Sequence, residues 1–108
     1  MTKKFISFVT VVYNDAVGLE RTLLSVLQQD TDLVEHVVID GCSNDGSLEV
    51  IKKYEKNIDT WVSERDGGIY DAMNKGLKLA KGAWICMLNA GDVLEPDVIP
   101  AIINILKS

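Results

Sequence analysis

The chain has 108 residues, 47% of them apolar and 25% charged, enough for one hydrophobic core without disulfides or a structural metal. That balance excludes a disordered or membrane-embedded polypeptide. A formal net charge of −5 without a Lys/Arg cluster excludes broad electrostatic capture of nucleic acid or acidic lipid, so a phosphorylated ligand would need backbone N–H groups, one or two local cations or a divalent metal.

Met1 to Lys4 carries two lysines and runs directly into a strand-like segment, so no signal peptide is expected. Phe5 to Tyr13 is an unbroken β-branched and aromatic run, which predicts a strand buried on both faces, the mark of a parallel sheet. Asn14-Asp15 breaks it, and Leu19, Leu23, Val26 and Leu27 recur at helical spacing to about Gln29. Val34 to Ile39 predicts the second strand, with the turn-rich loop Asp40-Gly41-Cys42-Ser43-Asn44-Asp45-Gly46 behind it. Leu48, Ile51 and Tyr54 then stripe a second helix, and Thr60 to Ser63 forms a short third strand.

A polar segment, Glu64 to Gly68, precedes a helix with apolar positions Ile69, Met73, Leu77 and Ala80, for which Gly82 is a plausible residue just past the end. Ala83 to Leu88 predicts the fourth strand, and Asn89-Ala90-Gly91-Asp92 the loop leaving it. Pro96 could open the last helix, although Pro100 lacks the N–H of an interior position and draws the start toward itself. No apolar run approaches the ~20 residues of a spanning helix.

Strands alternating with helices place the chain in the α/β class, with a four-stranded, mainly parallel sheet whose expected order under right-handed crossovers is 3-2-1-4. The strand C-termini then share one edge, and ligands of such sheets bind beyond it, at the switch between strands 1 and 4. Each of the four loops at that edge carries aspartate: Asp15, Asp40 with Asp45, Asp66 and Asp92. One loop aspartate is ordinarily a turn former or cap. Several at one rim repel each other unless a cation or a donor relieves them.

Three segments, Thr10-Val11-Val12-Tyr13-Asn14, Val38 to Gly46 and Glu64 to Gly76, resemble in order and spacing the N-terminal motifs of family 2 glycosyltransferases, most nearly those of bacteria that build surface polysaccharides. The resemblance spans nearly the whole chain. It implies a Rossmann-like GT-A half-domain, residues 1–108 being the nucleotide-diphospho-sugar-binding N-terminal part of a longer enzyme. It further implies a UDP- or GDP-sugar donor, inversion at the anomeric carbon, Mg2+ or Mn2+, and a glycan or lipid-linked acceptor in the full enzyme. By the same resemblance Thr10, Val12 and Tyr13 would line the base pocket, unless Val12 and Tyr13 simply end a core strand.

Asp40 resembles the family's base-binding aspartate, an acceptor suited to a ring N–H, its other reading being a helix cap. Asp66 would contact nucleotide or sugar, with the helix N-terminus after it offering N–H groups to phosphate or sugar hydroxyls. Asp71, Asn74 and Lys75 fit either donor contacts or a solvated, capping face. The family's Asp-x-Asp element is replaced by Asn89-Ala90-Gly91-Asp92, which leaves Asp92 as the one carboxylate for the metal, Asn89 beside it, and the donor's phosphates to complete the shell.

His36 is read as a surface residue on the opposite edge, Trp61 and Trp84 as packing residues, and Cys86 as buried in its strand, so that no disulfide with Cys42 forms. This cysteine usage suits the cytoplasm, at the inner face of the membrane if a longer chain takes it there. The catalytic base is unassigned, because in the family it follows the metal motif, and the fragment alone is expected to bind donor without transferring it. A homo-oligomer is compatible with the sequence. The competing readings are a non-catalytic nucleotide-binding or interaction module and a dinucleotide-binding oxidoreductase domain, the second lacking its Gly-x-Gly-x-x-Gly fingerprint.

Overall fold

The structure, a computed structural model, describes residues 4–29 and 32–107; Met1 to Lys3, read above with the leader question, lie outside it. Four parallel strands, β1 (Ile6–Val12), β2 (Val34–Asp40), β3 (Thr60–Ser63) and β4 (Trp84–Met87), form one sheet in the order β3-β2-β1-β4. The order is the expected one. Between them run α1 (Ala16–Leu27), α2 (Ser47–Lys53) and α3 (Ile69–Leu79), and α4 (Val98–Lys107) follows β4. None of the helices among the described residues is long and apolar enough to cross a membrane.

Every residue of β1 is buried, which accounts for its unbroken apolar run. Val12 packs with Val38 against Leu19, Leu23 and Ile51 of α1 and α2, and Ile6 and Phe8 pack against Ile99 and Ile103 of α4. The intervening Val9 and Val11 join Val37, Ile39 and Ala72 on the opposite face, under α3. Alternation along β1 thus divides the helices between two layers. Gly76 lets α3 settle onto that face, since a Cβ there would stand 2.2 Å from Val9 Cγ1.

Several expectations are corrected. Gly82 is not a helix-terminating glycine: α3 ends at Leu79 with Ala80 extended, and Gly82 instead lies against β1, where a Cβ would meet the Ser7 backbone N at 2.8 Å. Its N–H donates to Ser7 Oγ at 2.7 Å, and Ser7 donates to the buried carboxylate of Glu35 at 2.6 Å. The last helix begins at Val98, not at Pro96, so Pro100 falls in the first turn, where its missing N–H costs nothing. The buried amide of Gln29 spans this start, its Nε2 donating to Glu95 O at 2.8 Å and its Oε1 accepting from Ile99 N at 3.1 Å.

Cys86 and Trp84 are exposed, not buried, because β4 is an edge strand that pairs with β1 alone. Trp61 is half-buried against the α1–α2 core, as read. His36 is not on the surface. It is 2% exposed within β2, its Nε2 2.7 Å from Thr10 Oγ1, and burial pushes its pKa down to about 4.

Candidate functional site

The four loops beyond the carboxyl ends of the strands enclose a cleft of about 940 Å3, a size suited to a nucleotide-scale ligand. Its base is the end of β1, Val11 and Val12, followed by Tyr13, which is 67% exposed. Gly41 to Asn44 form the wall after β2, Arg65, Asp66, Gly68 and Ile69 the wall after β3, and Asn89 and Ala90 the side toward β4. The cleft therefore straddles the β1/β4 switch, where strand order reverses.

The first two loops are laced together. Asn14, at φ 51°, donates its backbone N–H to Ser43 Oγ at 2.8 Å and accepts the Asn44 N–H on Oδ1 at 2.8 Å. Asp45 accepts from Ala16 N at 3.1 Å and from Ser47 N and Oγ at 3.0 and 2.7 Å, and these donors, the Ser47 hydroxyl foremost, hold its pKa below the ordinary carboxylate value. Asp15 caps α1 by accepting from Gly18 N at 3.0 Å while it also lines the cleft.

Asp40 stands behind this wall and does not line the cleft. It is fully buried, accepting the Ser43 hydroxyl on one oxygen and Ser43 N at 3.1 Å and Ser63 Oγ at 2.8 Å on the other. Thr10, likewise fully buried, also lies outside the cleft lining and pairs with His36. Asp66 does line the cleft, its Oδ1 accepting from Gly68 N at 3.0 Å. Gly41 leaves it room, because a Cβ there would come within 3.0 Å of Asp66 Oδ2.

On α3, Asp71 accepts the Gly67 N–H at 2.8 Å and Asn74 is exposed. Lys75 pairs with Glu64 at 3.1 Å, approaches Asp71 at 4.0 Å and donates to Arg65 O at 3.3 Å. These three lie outside the lining, and of them Asp71 caps a backbone N–H. Asp92 closes its own turn, accepting Asn89 N at 3.0 Å. Thr22, which no local pattern singles out, latches that turn to α1: its hydroxyl donates to Asp92 O at 2.6 Å and accepts from Gly91 N at 2.9 Å.

Of the residues read as site candidates, Val12, Tyr13, Asp66 and Asn89 meet in the cleft. Asp15, read above among the loop aspartates, joins them there, as do Ser43 and Arg65, which read locally as a turn former and a solvated charge. Asn89 Oδ1 is buried without a hydrogen-bond partner among the described residues, an orphan that a cation or donor would satisfy. Asp92 lies three residues on, yet no group of three His, Cys, Asp or Glu that could hold a metal occurs among the described residues. Asp92 is outside the cleft lining, so the described residues bring one amide oxygen, that of Asn89, to the cleft and no complete set of metal ligands.

Residues 7–108 match the model of glycosyl transferase family 2. The chain belongs to that family. It is 39% identical over 104 residues to an uncharacterized glycosyltransferase of Mycobacterium tuberculosis, covering 94% of this chain and 40% of that protein. It is 33% identical to the putative teichuronic acid biosynthesis glycosyltransferase TuaG of Bacillus subtilis, covering 88% and 39%. Among solved structures, S. aureus TarS in complex with UDP superposes with a TM-score of 0.87 at 25% identity, over 95% of this chain and 32% of that one. Mannosyltransferase PcManGT from Pyrobaculum calidifontis, in complex with GDP-Man and Mn2+, gives 0.80 at 23%, over 94% and 31%. The family 2 chain thus has the GT-A arrangement of these enzymes and spans about 40% of the length of the two relatives named above.

Proposed function

We propose that this family 2 chain is the donor-binding part of an inverting glycosyltransferase that moves a sugar from a UDP- or GDP-sugar to an acceptor hydroxyl in polysaccharide biosynthesis. The observation that carries the reading is the cleft at the β1/β4 switch, walled by Tyr13, Gly41 to Asn44 and Asp66, at the edge where α/β sheets take nucleotides. The TarS complex with UDP and the PcManGT complex with GDP-Man, both on the same fold, support it.

In this reading Tyr13 offers its ring to the base, and Asp66 accepts hydrogen bonds from the nucleoside or the sugar. Asp40 holds the Gly41–Asn44 wall in place, and a base N–H that reached it would displace the Ser43 hydroxyl. Asn89 Oδ1 and Asp92 would hold Mg2+ or Mn2+ together with the donor's phosphates. When bound, the ion neutralises charge on the departing diphosphate. The acceptor oxygen forms its bond to the anomeric carbon as the bond from that carbon to the diphosphate breaks, and the acceptor's proton goes to a base that none of these residues supplies.

In this reading the chain alone binds donor and transfers little or none of it, the base being supplied from elsewhere in the full enzyme. Titration calorimetry with UDP and GDP, with and without Mn2+, tests the reading. Binding of either that tightens with Mn2+ supports it, binding that ignores Mn2+ favours a non-catalytic nucleotide-binding module, and no binding of either sinks it.

A further inference from the structure

The cleft must accept an anion although the chain carries a net charge of −5 and two of the lining side chains, Asp15 and Asp66, are carboxylates. The glycine loop before α3 offers little relief. The Gly67 N–H is taken by Asp71 and the Gly68 N–H by Asp66, so two amides that could face a phosphate already serve the chain's own carboxylates. Lys75, the cation expected there, is engaged by Glu64 at 3.1 Å and by the Arg65 carbonyl. Arg65 differs on every count. It lines the cleft, it is exposed, it is the one basic side chain among the lining residues, and its guanidinium makes no ion pair or hydrogen bond among the described residues.

From this we infer that Arg65 binds the diphosphate of the donor and makes the cleft prefer nucleoside diphosphates to nucleosides, an inference that rests on the donor-binding reading above. A guanidinium presents a planar fork of donors that matches two phosphate oxygens at once, and it stays charged at any working pH. The backbone around it is held on both sides: Glu64 N donates to Asp40 O at 3.0 Å, and the Arg65 carbonyl accepts from Lys75. Only the side chain is left to follow the ligand. The glycine pair after Asp66 keeps the approach open, since a Cβ on Gly68 would meet nothing within 4 Å.

The test is calorimetry on the chain and its Arg65→Ala and Arg65→Lys variants with UDP and with uridine, in EDTA so that no metal contributes. Removing the guanidinium should weaken UDP about tenfold, equivalent to ~1.4 kcal/mol, and leave uridine unchanged. Lysine should fall between, keeping the charge and losing the fork. Added NaCl should weaken UDP binding to the parent chain more than to Arg65→Ala. Equal UDP affinity in the parent and Arg65→Ala, or an equal loss for UDP and uridine, would overturn the inference while leaving the donor reading intact. If neither ligand binds the parent chain, the donor reading itself has failed and this inference falls with it.

Discussion

Nε2 of His36 lies 2.7 Å from the hydroxyl of Thr10, both side chains buried where β1 and β2 run side by side. Burial holds the imidazole neutral, with a pKa near 4 against the ordinary 6.5. In the unfolded chain His36 takes up a proton near pH 6.5, and in the native chain only near pH 4, so between those values unfolding is coupled to proton uptake. Stability is therefore full above about pH 6.5 and falls as pH drops toward 4, by at most about 3 kcal/mol from this group. Urea unfolding at several pH values checks this. His36→Gln should flatten the slope in that window.

Thr10→Val removes the partner of His36 and leaves a buried ring nitrogen unsatisfied, for a loss of about 1–3 kcal/mol. Since Thr10 is outside the cleft lining, UDP affinity of the folded variant should match that of the parent. A drop in affinity with unchanged stability would return Thr10 to the base pocket.

Gln29→Ala should release the start of α4 by removing the acceptor of Ile99 N and the donor to Glu95 O, costing about 1–3 kcal/mol. Hydrogen exchange should show the loss first at Ile99 and Ile103, with the amides of β1 and β2 following global stability alone.

The strands and their order are legible in the sequence because each follows from local pattern plus the handedness of crossovers. What escapes it are pairings made at a distance. Ser7 reaches Glu35 across 28 residues and Thr10 reaches His36 across 26, and nothing near His36 in the chain marks it as buried. The exposure of Trp84 and Cys86 escapes for a related reason, since apolar residues do not record whether a strand is central or at an edge. In the site, the cleft positions of Val12, Tyr13, Asp66 and Asn89 are legible from motif and loop position, whereas nothing local places Asp40 behind the wall or Asp92 outside the lining, each accepting from neighbouring donors. Counting carboxylates per loop finds the right edge of the sheet. It does not say which of them face the cleft.

Asp40→Ala should loosen the Gly41–Asn44 wall by removing the acceptor for Ser43 and Ser63. Charge-assisted hydrogen bonds of this kind are worth about 1.5–3 kcal/mol each, so both stability and UDP affinity should fall. Faster hydrogen exchange at Ser43 in the unliganded variant would assign the affinity loss to the wall.

Asn89→Asp would place a carboxylate beside Asp92 where an orphaned amide oxygen now stands. In the presence of UDP, Mn2+ affinity should rise about tenfold or more, because an anionic oxygen is the better ligand for a hard cation. Manganese relaxation measurements would read it, and an unchanged affinity would move the metal away from this loop.

The most direct test of the nucleotide cleft is an NMR titration of the chain with UDP. Amide shifts should concentrate at Val12, Tyr13, Gly41 to Asn44 and Asp66 to Ile69. Shifts confined to the far end of the sheet, around His36 and Asp59, or no shifts at saturating UDP, would contradict the placement of the donor at the β1/β4 edge.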